Sequence, residues 1–271
     1  MREIDIKETK EIGLSTLVFF ADFCKRNNLC YFLAYGTLLG AIRHGGFIPW
    51  DDDIDLCMPR TDYDRLLLMK EELFETPYEL VSPETNPQFE FPFAKICRKD
   101  TLILPSRFVN GYVYGCSIDI FPLDAISYEE DELFVSDTYK KIRENNLRIL
   151  NQYHNYTGGQ LLKGLKGFSK KCVYRATSFI KGPMSKRMLD YSRLFAQNPI
   201  NEKTTYLATI SGEAIFRKNW FDESIEMAFE GNIFNAPAQY DSILRQQYGD
   251  YMKFPPESER VIPHCFQAFY K

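Results

Sequence analysis

The sequence predicts an α/β fold in which a sheet of short strands is flanked by helices. Apolar residues recur at helical spacing through residues 6–27, an apolar and aromatic run at residues 30–35 has the length of a buried strand, and further strand-like runs follow. Strands that alternate with helices along a chain are typical of this class. The 271 residues, 45% of them apolar, are enough for one large domain or for a domain with a helical appendage.

The first predicted element is an amphipathic helix over residues 6–27, which we expect to pack on the sheet. Its apolar stripe consists of Leu14, Leu17, Val18, Ala21 and Cys24. The strand at 30–35 follows and ends at Gly36, after which Thr37 begins a short helical turn. A glycine lets a phosphate approach the backbone, and the hydroxyl and amides at a helix start can donate hydrogen bonds to it.

An acidic run at residues 51–55 is the most informative feature of the sequence. It places four carboxylates between apolar flanks, so they emerge from a buried element and not from a solvated loop. If the run is extended, Asp51, Asp53 and Asp55 share one face, and Asp52 points away from them. Carboxylates at this spacing suit one Mg²⁺, or two ions about 4 Å apart.

A further acid, Asp119, lies between Ile118 and Ile120 in a strand-like run. Burying an unpaired carboxylate there would cost several kcal/mol, so Asp119 is predicted to be paired or bound to a metal. We expect it to be the third ligand or the general base. The structural alternative is an ion pair with an arginine such as Arg98 or Arg107.

The rest of the chain continues the α/β order. A capped helix is predicted to start at Thr61 and Asp62 after Pro59, with Leu66, Leu67 and Leu73 on its buried side. Strand-like runs follow at 78–81, 93–97 and 101–104. A long polar helix is expected over residues 129–153, and Gly158 and Gly159 mark a break after it.

Residues 160–188 carry eight basic side chains and no acidic ones, interleaved with apolar residues. Such a basic amphipathic stretch can lie on an anionic membrane surface or hold an anionic acceptor. A solvated helix face is the simpler alternative. The net charge of −4 gives no case for nucleic-acid binding.

Composition predicts a cytoplasmic protein, with membrane contact at the inner face as a possibility for the basic stretch. The seven cysteines form no Cys-x-x-Cys pair, which is typical of reduced, buried thiols and argues against a zinc site. The charged N-terminal residues lack the apolar core of a secretory signal. No apolar run is long enough to span a membrane.

Several segments together resemble the LicD family of phosphocholine transferases and, more distantly, the fukutin-related ribitol-phosphate transferases. The resemblance rests on residues 35–44 and 46–55, on residues 118–124, and on C-terminal residues 248–252 and 260–264. Residues 129–206 carry no matching motif.

The resemblance implies a nucleotidyltransferase-like mixed sheet flanked by helices, with a helical insertion. Residues 1–128 would form the catalytic core, residues 129–205 a basic helical insertion that contacts the acceptor or a membrane surface, and residues 206–271 would complete the active site. The implied reaction depends on Mg²⁺ or Mn²⁺. It moves phosphocholine from CDP-choline, or a related CDP-alcohol, onto a sugar hydroxyl of a glycan or lipid-linked glycan, such as a lipopolysaccharide or teichoic acid precursor, and releases CMP.

Residue roles follow from the matched positions. Asp53 and Asp55 correspond to the metal-binding pair and Asp119 to the third acid, and all three are predicted catalytic and metal-binding residues. The predicted substrate-binding residues are Gly36, Thr37, Arg43, His44, Trp50, Tyr248, Tyr251, Arg260 and His264. Among them, Trp50, Tyr248 and Tyr251 are candidates for an aromatic cage around the choline ammonium, and Arg60 is a weaker candidate for a phosphate contact.

Other functions remain open on the sequence. A nucleotidyltransferase would use the same acids to move NMP onto a small molecule and release pyrophosphate. A CDP-ribitol-type phosphotransferase differs only in the alcohol. A metal-dependent glycosyltransferase usually has a longer nucleotide-binding half before its Asp-x-Asp pair, and a binding module without activity would have little use for the three acids.

Overall fold

The computed structural model describes residues 1–89, 91–105, 112–157, 184–210, 214–261 and 266–271. It has a mixed α/β architecture, as predicted. The described helices are α1 Ile6–Asn27, α2 Tyr35–His44, α3 Arg60–Leu68, α4 Glu132–Thr157, α5 Met184–Ser192 and α6 Tyr240–Tyr248. The described strands are β1 Arg2–Ile4, β2 Phe32–Leu33, β3 Asp55–Pro59, β4 Tyr78–Val81, β5 Ala94–Arg98, β6 Thr101–Pro105, β7 Ser117–Ser127, β8 Tyr206–Thr209, β9 Phe216–Arg217, β10 Ser224–Phe229, β11 Asn232–Pro237 and β12 Phe266–Tyr270.

The central sheet contains seven strands in the order β2-β3-β7-β5-β4, with β8 paired to the far part of β7 and β9 paired to β8. Only β3 and β7 run parallel, and the other neighbours are antiparallel. The sheet is therefore mixed. A smaller sheet has the order β1-β12-β6, and β10 and β11 form an antiparallel hairpin.

Helix α1 has the predicted bounds because both of its ends are capped. The Asp5 carboxylate accepts a hydrogen bond from the Glu8 N–H at 2.8 Å, and Asn28 adopts a left-handed conformation with φ of 50°. The buried face differs from the predicted stripe. Ile12, Thr16, Leu17, Phe20, Phe23 and Cys24 are buried, whereas Leu14, Val18 and Ala21 are only partly buried. The helix turns its phenylalanines toward β5 and β7, since a phenyl ring buries more apolar area than valine or alanine.

The other predicted elements are present with small differences. The strand expected at 30–35 is only two residues long, Phe32–Leu33. Helix α3 begins at Arg60, directly after Pro59, and no side chain caps it, so the predicted cap at Thr61 is wrong. Strand β6 belongs to the small sheet, where it pairs with β12.

The described part of the middle region packs onto the end of β7. Val135 and Tyr139 of α4 and Met188 and Tyr191 of α5 share a buried apolar cluster with Tyr206 of β8. The predicted basic stretch lies outside the described residues, except for its last few. No helix among the described residues is long and apolar enough to cross a membrane.

Arg60 is a structural residue and not a phosphate ligand. Its guanidinium is buried and binds the buried Asp124 carboxylate through two hydrogen bonds of 2.6 and 2.8 Å, and it also donates to the Ser192 carbonyl at 3.0 Å. This pair ties the start of α3 to β7 and to the end of α5.

Candidate active site

The parallel pairing of β3 and β7 brings the predicted acids together. Asp55 opens β3 and lies in register with Asp119 on β7. Asp119 alternates with the fully buried Ile118 and Ile120, as predicted, so its side chain points to the opposite face of the sheet from theirs. The result is a pair of carboxylates on neighbouring strands at one position of the sheet.

The chain before β3 is bent, which changes the predicted arrangement of the acidic run. The Asp51 N–H donates to the Ile48 carbonyl at 2.9 Å, and residues 51–54 form no strand. One carboxylate oxygen from each of Asp51, Asp52 and Asp53 lies within 4.8 Å of the other two. The expected strand alternation is therefore wrong before Asp55, and Asp52 joins its neighbours instead of facing away.

Gly36 and Thr37 hold this acidic turn in place. A Cβ atom at Gly36 would overlap the Asp51 carboxylate, so only glycine allows the turn to approach α2 this closely. The buried Thr37 hydroxyl oxygen accepts a hydrogen bond from the Asp55 N–H at 2.8 Å. In the structure both residues contact the acidic turn, and their predicted role in phosphate binding stays a prediction.

A lysine accompanies Asp119. The Lys95 ammonium on β5 forms an ion pair with the Asp119 carboxylate, and both side chains are largely buried. The sequence suggested an arginine as the structural partner. Arg98 instead pairs with Asp100, and Arg107 lies outside the described residues.

The acids repel one another electrostatically. Burial raises the pKa of Asp55 well above its usual range, and the nearby Asp53, Asp119 and Asp51 raise it further, while Lys95 opposes them. A bound cation would relieve this repulsion. Carboxylate oxygens are the ligands that Mg²⁺ and Mn²⁺ prefer, so the residues present fit such an ion.

A cationic and aromatic group of side chains lies beside the acidic turn. The Cζ atom of Arg43 lies 4.8 Å from the ring centroid of Phe254, and the Cζ atom of Arg260 lies 5.4 Å from the Trp50 ring and 5.5 Å from the Phe254 ring. The His44 ring contacts both aromatic rings edge-on. Burial lowers the pKa of Arg43, and the neighbouring Arg260 lowers it further.

Neither guanidinium forms an ion pair with a residue that the structure describes. Arg43 donates to the Tyr251 carbonyl at 3.0 Å and Arg260 to the Pro255 carbonyl at 2.9 Å, and both of these acceptors are neutral. Two adjacent guanidinium groups can bind a diphosphate, and here they lie next to carboxylates that suit a divalent ion. The sequence pattern singled out both arginines but missed Phe254, whose place follows from the tertiary fold.

The Trp50 ring contacts the rings of His44 and Phe254, and the choline cage of Trp50, Tyr248 and Tyr251 stays a prediction. The open face of Trp50 is covered by Arg260, and the Tyr251 hydroxyl donates to Asp241 at 2.7 Å. Tyr248 lies near the acids, since burial and the charges of Asp55, Asp51 and Asp53 raise its pKa. His264 lies outside the described residues.

A polar cleft of about 430 Å³ lies between Tyr35 and Tyr248. Its other lining residues are Ser136, Lys140, Ala214, Ile215, Gln246 and Gln247. Tyr35 adopts an unusual backbone φ of 44°, and its hydroxyl shares a hydrogen bond with the Thr209 hydroxyl. This cleft was not predicted, because its residues come from four separate parts of the chain: α2, α4, α6 and the segment before β9.

Comparisons with known proteins show the family of the chain. The sequence model of the LicD/FKTN/FKRP nucleotidyltransferase domain matches residues 28–153, which include all five carboxylates. The lipopolysaccharide cholinephosphotransferase LicD of Haemophilus influenzae is 30% identical over 276 residues, which cover 99% of each chain. An uncharacterized protein of Rickettsia typhi is 41% identical over 58 residues, 21% of this chain and 19% of the relative.

Proposed function

Because the chain belongs to the LicD family, we propose that it transfers phosphocholine from CDP-choline to a sugar hydroxyl of a lipopolysaccharide or related glycan precursor and releases CMP. The observation that carries the proposal is the group of Asp51, Asp53, Asp55 and Asp119 beside Arg43 and Arg260, which form no ion pair within the described part of the chain. Acids for a divalent ion and cations for a diphosphate are the two features that such a donor requires.

The proposed donor lies between the acids and the arginines. Arg43 and Arg260 would bind phosphate oxygens, and Asp53, Asp55 and Asp119 would hold Mg²⁺ or Mn²⁺, with Asp51 close enough to contribute. A bound divalent ion would neutralise charge on the diphosphate and on the departing CMP.

In the proposed reaction, the acceptor hydroxyl oxygen forms a bond to the choline-bearing phosphorus. The bond from that phosphorus to the bridging oxygen breaks, and CMP leaves with the electron pair. We assign the hydroxyl proton to the Asp119 carboxylate, which remains 14% exposed on the site side of the sheet. Glycan binding by the insertion and completion of the site by residues 206–271 are part of the same proposal.

The donor is tested by its leaving group. Purified protein with Mg²⁺ and lipopolysaccharide that lacks phosphocholine is incubated with CDP-choline, CDP-ribitol or CTP, and the products are identified by mass spectrometry. We expect CMP and phosphocholine-modified lipopolysaccharide from CDP-choline. Release of pyrophosphate from CTP would favour nucleotidyl transfer, and the absence of metal-dependent turnover with every donor would favour a binding module.

A matched pair of variants connects the activity to the acids. We expect Asp55→Asn to lower kcat by about 100-fold or more, since removal of one carboxylate charge weakens the hold on the ion. Asp22→Asn makes the same chemical change on the exposed face of α1 and should leave the rate unchanged.

A further inference from the structure

Lys95 occupies a position that neither the family resemblance nor the proposed chemistry explains. It lies on β5 in register with Asp119 of β7, and Asp119 lies in register with Asp55 of β3. An ammonium and two carboxylates therefore form a row across three neighbouring strands. Lys95 as a whole residue is only 6% exposed.

The Lys95 ammonium is held from two sides. On one side it pairs with the Asp119 carboxylate. On the other, its Nζ atom lies 4.7 Å from the ring centroid of Phe91, 5.3 Å from that of Phe93 and 5.4 Å from that of Tyr114. Aromatic faces attract a cation, so these rings help to hold the ammonium beside the acids although water has little access.

We propose that Lys95 is a built-in counterion that competes with the divalent ion for Asp119 and thereby sets the metal affinity of the site. This inference rests on the proposed function, because it requires that the acids bind a divalent ion. In the metal-free protein the ammonium offsets part of the repulsion among the carboxylates. When an ion binds, the ammonium opposes it, since two positive charges then share one carboxylate.

Removing the Lys95 charge should therefore raise the metal affinity of the site and lower the thermal stability of the metal-free protein. In Lys95→Met, whose apolar side chain fits among the three rings, we expect Mn²⁺ and Mg²⁺ to bind roughly ten- to hundredfold more tightly, from the size of a Coulomb interaction in a partly buried site. The metal-free variant should unfold at a lower temperature than the metal-free wild type. A saturating concentration of divalent ion should then raise the unfolding temperature of the variant by more than it raises that of the wild type.

The experiment measures metal binding by calorimetry and thermal unfolding on protein freed of metal with a chelator and then dialysed, so that no activity is needed. Lys95→Arg keeps the charge and should retain an affinity close to that of the wild type. Lys7→Met replaces an exposed lysine of α1 by the same neutral residue, and it should alter neither the metal affinity nor the unfolding temperature.

The outcomes separate this inference from the proposed function. If wild-type protein binds neither Mn²⁺ nor Mg²⁺, the proposed metal chemistry fails and this inference fails with it. If the wild type binds and Lys95→Met binds equally or more weakly, only the counterion role is overturned. Lys95→Gln repeats the test with a polar side chain, and failure of both neutral variants to fold even with divalent ion would show a purely structural lysine.

Discussion

At the scale of single residues, the site is built by side chains whose roles depend on their neighbours. Thr37 accepts a hydrogen bond from the backbone of Asp55, and Gly36 leaves room for the Asp51 carboxylate. Each contact places an acid. The sequence pattern identified Gly36, Thr37 and the acids as one group because they occur within one short segment.

Gly36 should be intolerant of even one added methyl group. We expect Gly36→Ala to lower the free energy of unfolding by about 1–3 kcal/mol and to reduce kcat, because the new Cβ atom would displace the Asp51 carboxylate. Chemical denaturation and steady-state kinetics measure the two effects. The double variant Gly36→Ala/Asp51→Ala provides the control, because it removes the carboxylate that the new Cβ atom would overlap. Its loss of unfolding free energy should be smaller than the sum of the losses in the two single variants.

Arg260 should affect donor binding more than folding. Its guanidinium is partly exposed and stacks on Trp50 and Phe254, so we expect Arg260→Ala to raise the KM for CDP-choline about tenfold or more with little change in thermal stability. CMP release as a function of donor concentration measures this. Arg245→Ala removes an exposed guanidinium that pairs with Asp241, and it should leave the KM unchanged. An unchanged KM and turnover in Arg260→Ala would remove Arg260 from the site.

At the scale of secondary-structure elements, the register between β3 and β7 decides which acids meet. Local patterns predicted α1, β4 and the β7 run, because apolar periodicity and alternation depend on residues that are close in the sequence. They failed over residues 51–54, where a turn closed by Ile48 overrides the alternation. The ion pair of Lys95 was equally invisible, since a lysine in a short strand usually faces water, and only the neighbouring strand reveals its partner.

The buried pair of Arg60 and Asp124 should contribute to stability through the elements it joins. We expect Asp124→Ala to lower the free energy of unfolding by about 3–5 kcal/mol, because it leaves the Arg60 charge buried without its partner. Urea denaturation measures the loss. Asp100→Ala breaks the more exposed pair with Arg98 and should cost less than about 1 kcal/mol, and a similar loss in both variants would contradict the burial argument.

At the scale of the whole molecule, the site combines distant parts of the chain. The acids come from the turn before β3, from β3 and from β7, one arginine comes from α2, and the other comes from the C-terminal region. The sequence resemblance predicted this combination by matched motifs. The cleft between Tyr35 and Tyr248 could not be predicted in this way, because its lining depends on how α4 and α6 pack around the sheet.

The basic stretch at residues 160–188 is the part of the molecule expected to meet a membrane surface, although most of it lies outside the described residues. We expect the wild type to co-sediment with vesicles that contain anionic lipid, since each lysine near such a surface contributes about 1 kcal/mol. Changing Lys163, Lys166, Lys170 and Lys171 to glutamine should abolish most of this binding. Vesicles of neutral lipid serve as the control, and unchanged sedimentation of the fourfold variant would end the idea.

The small sheet has a consequence for synthesis of the chain. Strand β12 lies between β1 and β6, so Arg2 and Tyr270 are register partners although nearly the whole sequence separates them. While the polypeptide is still leaving the ribosome, β1 has no pairing strand, and the apolar side chains of Ile4 and Ile12 lack the cover that Ala268 later provides. Strand β1 can therefore pair only after the C-terminal segment has been translated, and until then its apolar side chains stay without their native contacts.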